Sequence, residues 1–226
     1  MTCILALDTS TDAGSVALWL DGEVVEDFQL LPRQQAQALL PQIEQLLSRA
    51  GISLQQLDAL AFGRGPGSFT GLRIAAASVQ GLALALDRPV IPVSTLQSLA
   101  WTAHQQYFAN KVLTLLDARM DEVYWCAWQW QEDRPEALLE ETLSPPEMVL
   151  LNNQQELDWV VAGSGAVFVE RLPPVIKGCI QQELPDIRPS AGAMVQLAHQ
   201  AWLRGELQDA SAALPVYLRD KVTHGS

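Results

Sequence analysis

The sequence predicts an α/β protein of two similar lobes, each a mixed sheet flanked by helices. Three observations predict it. Short apolar runs of strand length alternate with segments of helical period. The strand-rich opening of the chain starts again after Lys111. A glycine turn at Gly63-x-Gly65 finds an echo at Gly163-x-Gly165.

Residues 3 to 30 read as three strands, "CILALD", "SVALWL" and "EVVEDFQL", with Asp21-Gly22 as the hairpin turn between the last two. Gln34 to Ala50 reads as a helix with Ala36, Leu39, Leu40, Ile43, Leu46, Leu47 and Ala50 on one stripe. Gly51 ends it, and Pro41 falls on the opposite, polar side. "LDALAFG" is a buried strand that runs into the glycine turn and a long apolar helix. "RPVIPV" follows as a strand, then a helix from about Ser94 to Tyr107.

The second half repeats this layout. "TLLDARMDEVYWCAWQW" matches "LALDTSTDAGSVALWL", with Asp117 in the place of Asp8, and "LDWVVAGSGA" matches "LDALAFGRGPG" in the same order. Three antiparallel strands followed by alternating helix and strand, done twice, is the layout of the actin-like/ribonuclease-H-like (ASKHA) fold, with right-handed crossovers between parallel strands. The lobes divide at 1–107 and 108–226, the second abbreviated and its C-terminal segment free to pack back on the first. In enzymes of this fold a nucleotide sits between the halves, which makes Asp8, Ser10, Asp117 and Gly163 candidates for a vestigial nucleotide cleft.

Gly63, Gly65, Gly67 and Gly71 with Pro66 permit positive φ or close backbone approach, and Ser68 or Thr70 can cap the following helix. A helix N-terminus with free N–H groups can hold an anion, so a structural turn and a phosphate cradle are both open. The spacing is neither a Walker loop nor G-x-G-x-x-G. In the helix, Leu72, Ala75, Val79, Leu82 and Leu86 form a bulky face, while Ile74, Ala77, Ser78, Gly81 and Ala85 form a flank of small residues. Arg73 and Gln80 mark its polar line. A helix apolar on nearly all sides is covered either by its own chain or by a partner.

The 226-residue chain has 49 per cent apolar and 18 per cent charged residues, as expected of a globular protein. A net charge of −12 argues against a surface that grips nucleic acid by itself. Three widely spaced cysteines, Cys3, Cys126 and Cys179, suit a reducing compartment and form no zinc motif. The N-terminus reads as a strand, not a signal peptide, and the apolar run Ile74 to Leu86 is too short to span a bilayer; a cytoplasmic protein is expected.

The motif "GRGPGSFTGLRIAAASVQGLALALDRPVIPVSTLQSLA", with "LALDTST", "LLPQIEQLL", "LLDARMDEVYW" and "LPVYLRD", resembles the TsaB (YeaZ) family over residues 5 to about 220. The resemblance implies a non-catalytic subunit in threonylcarbamoyladenosine formation on tRNAs that read codons starting with A. Its implied partners are the catalytic paralogue TsaD and the ATPase TsaE, with a homodimer when it is alone and an indirect or minor contact with tRNA. No tightly bound cofactor is implied, though ADP or ATP could lie at the interface with partner subunits. The paralogue's two metal-binding histidines align with Thr95 and Leu99, and neither can replace an imidazole. The expected partner interface is Leu39, Ile43, Arg73, Ile74, Ala77, Ser78, Gly81 and Ala85. An actin-like ATPase or kinase, or a peptidase, acting alone is the alternative. Members commonly carry a His-Ser pair where this chain has Gln35-Ala36, and its ending "THGS" also departs from the pattern.

Overall fold

The computed structural model describes residues 2–32, 34–151 and 157–219. Two sheets of the same topology make up the molecule. In the first half, β1 (Cys3–Asp8), β2 (Ala13–Leu20) and β3 (Glu23–Leu30) form an antiparallel meander. Helix α1 (Gln35–Ala50) leads to β4 (Ala59–Gly65), α2 (Phe69–Leu86) to β5 (Val90–Ser94), and α3 (Thr95–Tyr107) closes the half. The sheet order is β3-β2-β1-β4-β5, with β4 and β5 parallel to β1.

The second half retraces this path with β6 (Lys111–Arg119), β7 (Glu122–Gln131), β8 (Arg134–Ala137) and β9 (Thr142–Ser144). It continues through β10 (Trp159–Ala162), the short helix α4 (Pro174–Lys177), β11 (Ile180–Leu184) and α5 (Ala191–Leu203). Its order, β11-β10-β6-β7-β8, is the first sheet's order with β6 for β1 and β10 for β4. The strands β8 and β9 share the place of β3 along β7. The fold is two actin-like (ASKHA) lobes. The abbreviation lies in the crossovers, where 3-10 turns and α4 stand in for α1 and α2.

Local chemistry accounts for the junctions. Asp21 and Gly22 both take positive φ, as a two-residue hairpin turn requires. Gly51 adopts the left-handed conformation and donates to the carbonyls of Leu47 and Ser48, which ends α1. Ser94 caps α3 by accepting from the Gln97 amide.

Both faces of β1 are covered, which explains its unbroken apolar run. Cys3, Leu5 and Leu7 pack under α1 and α2; Ile4 and Ala6 pack against Ala193, Met194, Ala198 and Ala201 of α5. The closing helices are exchanged between lobes: α5, from the second half, lies on the first sheet, and α3 packs Leu96, Leu99 and Ala103 against Val112, Leu116 and Trp128 of the second. Charged contacts fasten the same joint. Arg64 pairs with Glu141 at 3.1 Å, and that carboxylate also accepts from the Ser94 hydroxyl. Arg188 binds Asp12 through Nε and one Nη, at 2.9 and 3.3 Å.

The α1 stripe is narrower than the sequence predicts. Leu39, Gln42, Ile43, Leu46 and Leu47 are buried against the sheet, whereas Ala36 and Leu40 are exposed. A helix lying on a flat sheet buries about one-third of its circumference, so residues 100° off the contact line turn outward. Helix α2 spans 18 residues from Phe69, longer than the apolar run alone, and by length and composition it could cross a membrane. It is instead the crossover between parallel strands β4 and β5, with Leu72, Ala75, Ala76, Val79 and Ala83 buried.

Candidate functional site

The glycine turn packs against the end of β1. A Cβ on Gly71 would overlap the carbonyl oxygen of Thr9, and one on Gly67 would lie 2.5 Å from that of Ser10. A Cβ on Gly63 would overlap the Asp8 carboxylate. Gly65 needs its positive φ of 113° and precedes a cis peptide to Pro66. The Ser68 amide donates to the Ser10 carbonyl at 2.7 Å, and the Thr9 hydroxyl donates to the Gly71 carbonyl at 2.7 Å. Ser68 caps α2 by accepting from the Gly71 amide. Of the two readings of this turn, close backbone packing accounts for the glycines.

Asp8 and Ser10 are fully buried, so they line no open cleft, contrary to expectation. The glycine turn and Met194 of α5 close over Asp8, whose carboxylate accepts from the Ser10 amide and hydroxyl. Burial pushes the Asp8 carboxyl up to about 6, against the pull of these two hydrogen bonds. The folded state therefore holds a proton that the unfolded chain releases near pH 4, and stability falls as pH rises through that window. At ~1.4 kcal/mol per pKa unit, Asp8 removes about 3 kcal/mol between pH 4 and 7. Asp8→Asn should lose this fall: denaturant midpoints at both pH values should show the variant gaining on the parent as pH rises.

In the second half the matching residues also serve the fold. Gly163 is buried at φ 109°, and a Cβ there would overlap the Leu115 carbonyl oxygen. The Asp117 amide donates to the Ser164 hydroxyl at 3.2 Å, and the Asp117 carboxylate pairs with Arg119 at 3.0 Å. Of the four cleft candidates only Asp117 keeps partial exposure.

Thr95 and Leu99 are fully buried, Leu99 within the α3 core. His104 stacks on Trp130 and His199 on Trp19; His224 lies outside the described residues. Among the described residues no cluster of His, Cys, Asp or Glu could hold a metal. Burial pushes the thiols of Cys3 up to about 11 and of Cys126 up to about 12, so neither is a thiolate nucleophile at neutral pH.

The outer flank of α2 is open to solvent. Arg73, Ala77, Gly81 and Ala85 are exposed, and Ile74 and Ser78 are half-buried. A Cβ on Gly81 would meet nothing within 4 Å. Leu84, 68% exposed, completes the stripe at 77, 81, 84 and 85. Its position follows from the same spacing as its neighbours, so the signal for Leu84 was in the sequence and was missed. Leu39 and Ile43, expected in the interface, are buried at 1% and 3% exposure beneath α1, because they form its sheet-facing stripe. At the N-terminal end of α2, Arg73 lies over the Phe69 ring and bonds the Tyr217 hydroxyl, an assembly that no local pattern predicts.

Comparison with known proteins matches residues 29–224 to the family described as TsaD, tRNA N6-adenosine threonylcarbamoyltransferase. The tRNA threonylcarbamoyladenosine biosynthesis protein TsaB of Escherichia coli (strain K12) is 41% identical, over 97% of this chain and 95% of its own. The chain belongs to the TsaB (YeaZ) family. The Haemophilus influenzae TsaB is 37% identical over 97% of this chain and 94% of its own. Two structures from Pseudomonas aeruginosa are also similar. One, of an uncharacterized protein with similarity to peptidase YEAZ, is 46% identical with a TM-score of 0.93, over 97% of this chain and all of that one. The other, YeaZ, is 45% identical with a TM-score of 0.90, over 96% of this chain and all of that one. These matches span 94–100% of the TsaB and YeaZ chains and 96–97% of this one, so they take in both halves of the fold.

Proposed function

We propose that this chain is the non-catalytic partner subunit in tRNA threonylcarbamoyladenosine formation, docking and activating TsaD together with the ATPase TsaE. The observation that carries this reading is the uncovered flank of α2. Ala77, Gly81, Leu84 and Ala85 are exposed and leave a smooth apolar strip, a Cβ on Gly81 meeting nothing within 4 Å among the described residues, and small residues let a second helix approach closely. Alone, the same strip pairs two copies of the chain; with TsaD present, it pairs the two paralogues. The names of the TsaB relatives support the process, and the apolar packing of residue 99 supports catalysis by the partner. The net charge of −12 supports leaving tRNA mainly to the partners, and any ADP or ATP to their shared interface. A cytoplasmic location follows from this role.

The test is modification of a tRNA that reads A-starting codons by TsaD and TsaE, with and without this chain. Product should form only when the chain is added, and the chain with TsaE alone should form none. Product without TsaD would place the chemistry in this chain and favour the actin-like enzyme reading. Calorimetry with ATP and magnesium would then show tight binding and turnover by the isolated protein.

A further inference from the structure

The outer flank of α2 carries a single charge. Arg73 is the one ionisable side chain among residues 69–86, in a chain whose net charge is −12. Its guanidinium carbon lies 3.7 Å from the Phe69 ring centroid, and its Nε donates to the Tyr217 hydroxyl at 3.0 Å. Neither Nη group has a partner among the described residues. Both rings are part-exposed, Phe69 at 45% and Tyr217 at 39%.

This arrangement is held from a distance. The Val216 amide donates to the Arg64 carbonyl in the glycine turn at 2.7 Å. Three residues on, Arg219 pairs with Glu122 of the second lobe at 2.6 Å. Tyr217 is thus fixed between two anchors, one on each lobe, and it orients Arg73 with its Nη edge free.

We propose that Arg73 is the charged anchor of the docking face and receives a carboxylate from the partner protein, with Tyr217 as its positioning residue. The proposal rests on the docking role argued above. A guanidinium covered by an apolar partner must find an anion, since a buried unpaired charge is costly. Its planar fork fits a carboxylate bidentately, and stacking on Phe69 fixes the plane of that fork. A phosphate of RNA is the other anion of suitable shape. The strongly negative chain and the lack of a second cation on α2 favour the carboxylate.

The test measures the affinity of the full chain for TsaD in five forms: parent, Arg73→Glu, Arg73→Lys, Tyr217→Phe and Gly81→Glu. Arg73→Glu should weaken association about 100-fold and Arg73→Lys about 10-fold, with thermal midpoints close to the parent's. Tyr217→Phe should weaken it several-fold. A lysine in place of one TsaD carboxylate should restore binding to Arg73→Glu and to no other form. The proposal is overturned if Arg73→Glu binds TsaD as the parent does while Gly81→Glu does not. It is equally overturned if Arg73→Glu spares TsaD binding but lowers tRNA retention by the assembled complex, which would identify the anion as phosphate. If Gly81→Glu also binds as the parent does, the docking face itself is misplaced.

Discussion

Gly71→Ala should destabilise the protein by about 3 kcal/mol, although alanine is the better helix former by ~1 kcal/mol. Gly71 has ordinary helical geometry, so the cost is steric. Its new Cβ would overlap the Thr9 carbonyl oxygen, with the carbonyl carbon at 2.9 Å. Both neighbours are backbone at the buried end of β1, and no side-chain rotation relieves the overlap. Helix α2 must move away, stretching the Thr9 hydroxyl bond to the Gly71 carbonyl and the Ser68 amide bond to Ser10. Each is worth about 1 kcal/mol and overpacking adds about 1–3, so the loss exceeds the propensity gain. For a chain of this size the thermal midpoint should drop by on the order of 10 °C. An unchanged or raised midpoint would mean that the glycine turn does not pack as described.

The repeat was legible because each half carries its own local signals. Asp8 and Asp117 hold matching places in β1 and β6, and Gly63 and Gly163 open matching turns, so the repeated layout could be read along the chain. Gly51 and Asp21-Gly22 were legible for a similar reason: each acts on its nearest neighbours. What the sequence hid depends on partners far along the chain. Arg188 meets Asp12 across 176 residues, and Tyr217 meets Arg73 across 144, with no pattern linking either pair. The exchange of α3 and α5 between lobes is hidden likewise. It also explains why Asp8 was misplaced: Asp8 is fully buried, with Met194 of α5 packed at Gly63 beside its carboxylate. On α1, helical period marked the apolar residues but not which of them touch the sheet. Leu39 and Ile43 were therefore assigned outward while Leu40 is the exposed one.

Gly81→Glu should abolish docking without unfolding the chain. The site is helical and solvent-facing, and a Cβ there meets nothing within 4 Å, so a larger side chain has room. Replacing a mid-helix glycine adds stability, and Gly81→Ala should raise it by ~1 kcal/mol. Glutamate, however, sets a charge among Ala77, Leu84 and Ala85, on the strip a partner helix must cover. Covering it unpaired costs several kcal/mol, a loss of affinity of about 100-fold or more. The same substitution should leave the isolated protein monomeric.

The central claim is that the α2 flank docks the catalytic paralogue, and sedimentation velocity of full-length chain mixed with TsaD tests it most directly. The account predicts one faster-moving complex for the parent and two separate species for Gly81→Glu, whose melting temperature is no lower than the parent's. A Gly81→Glu chain that sediments with TsaD as the parent does would contradict it.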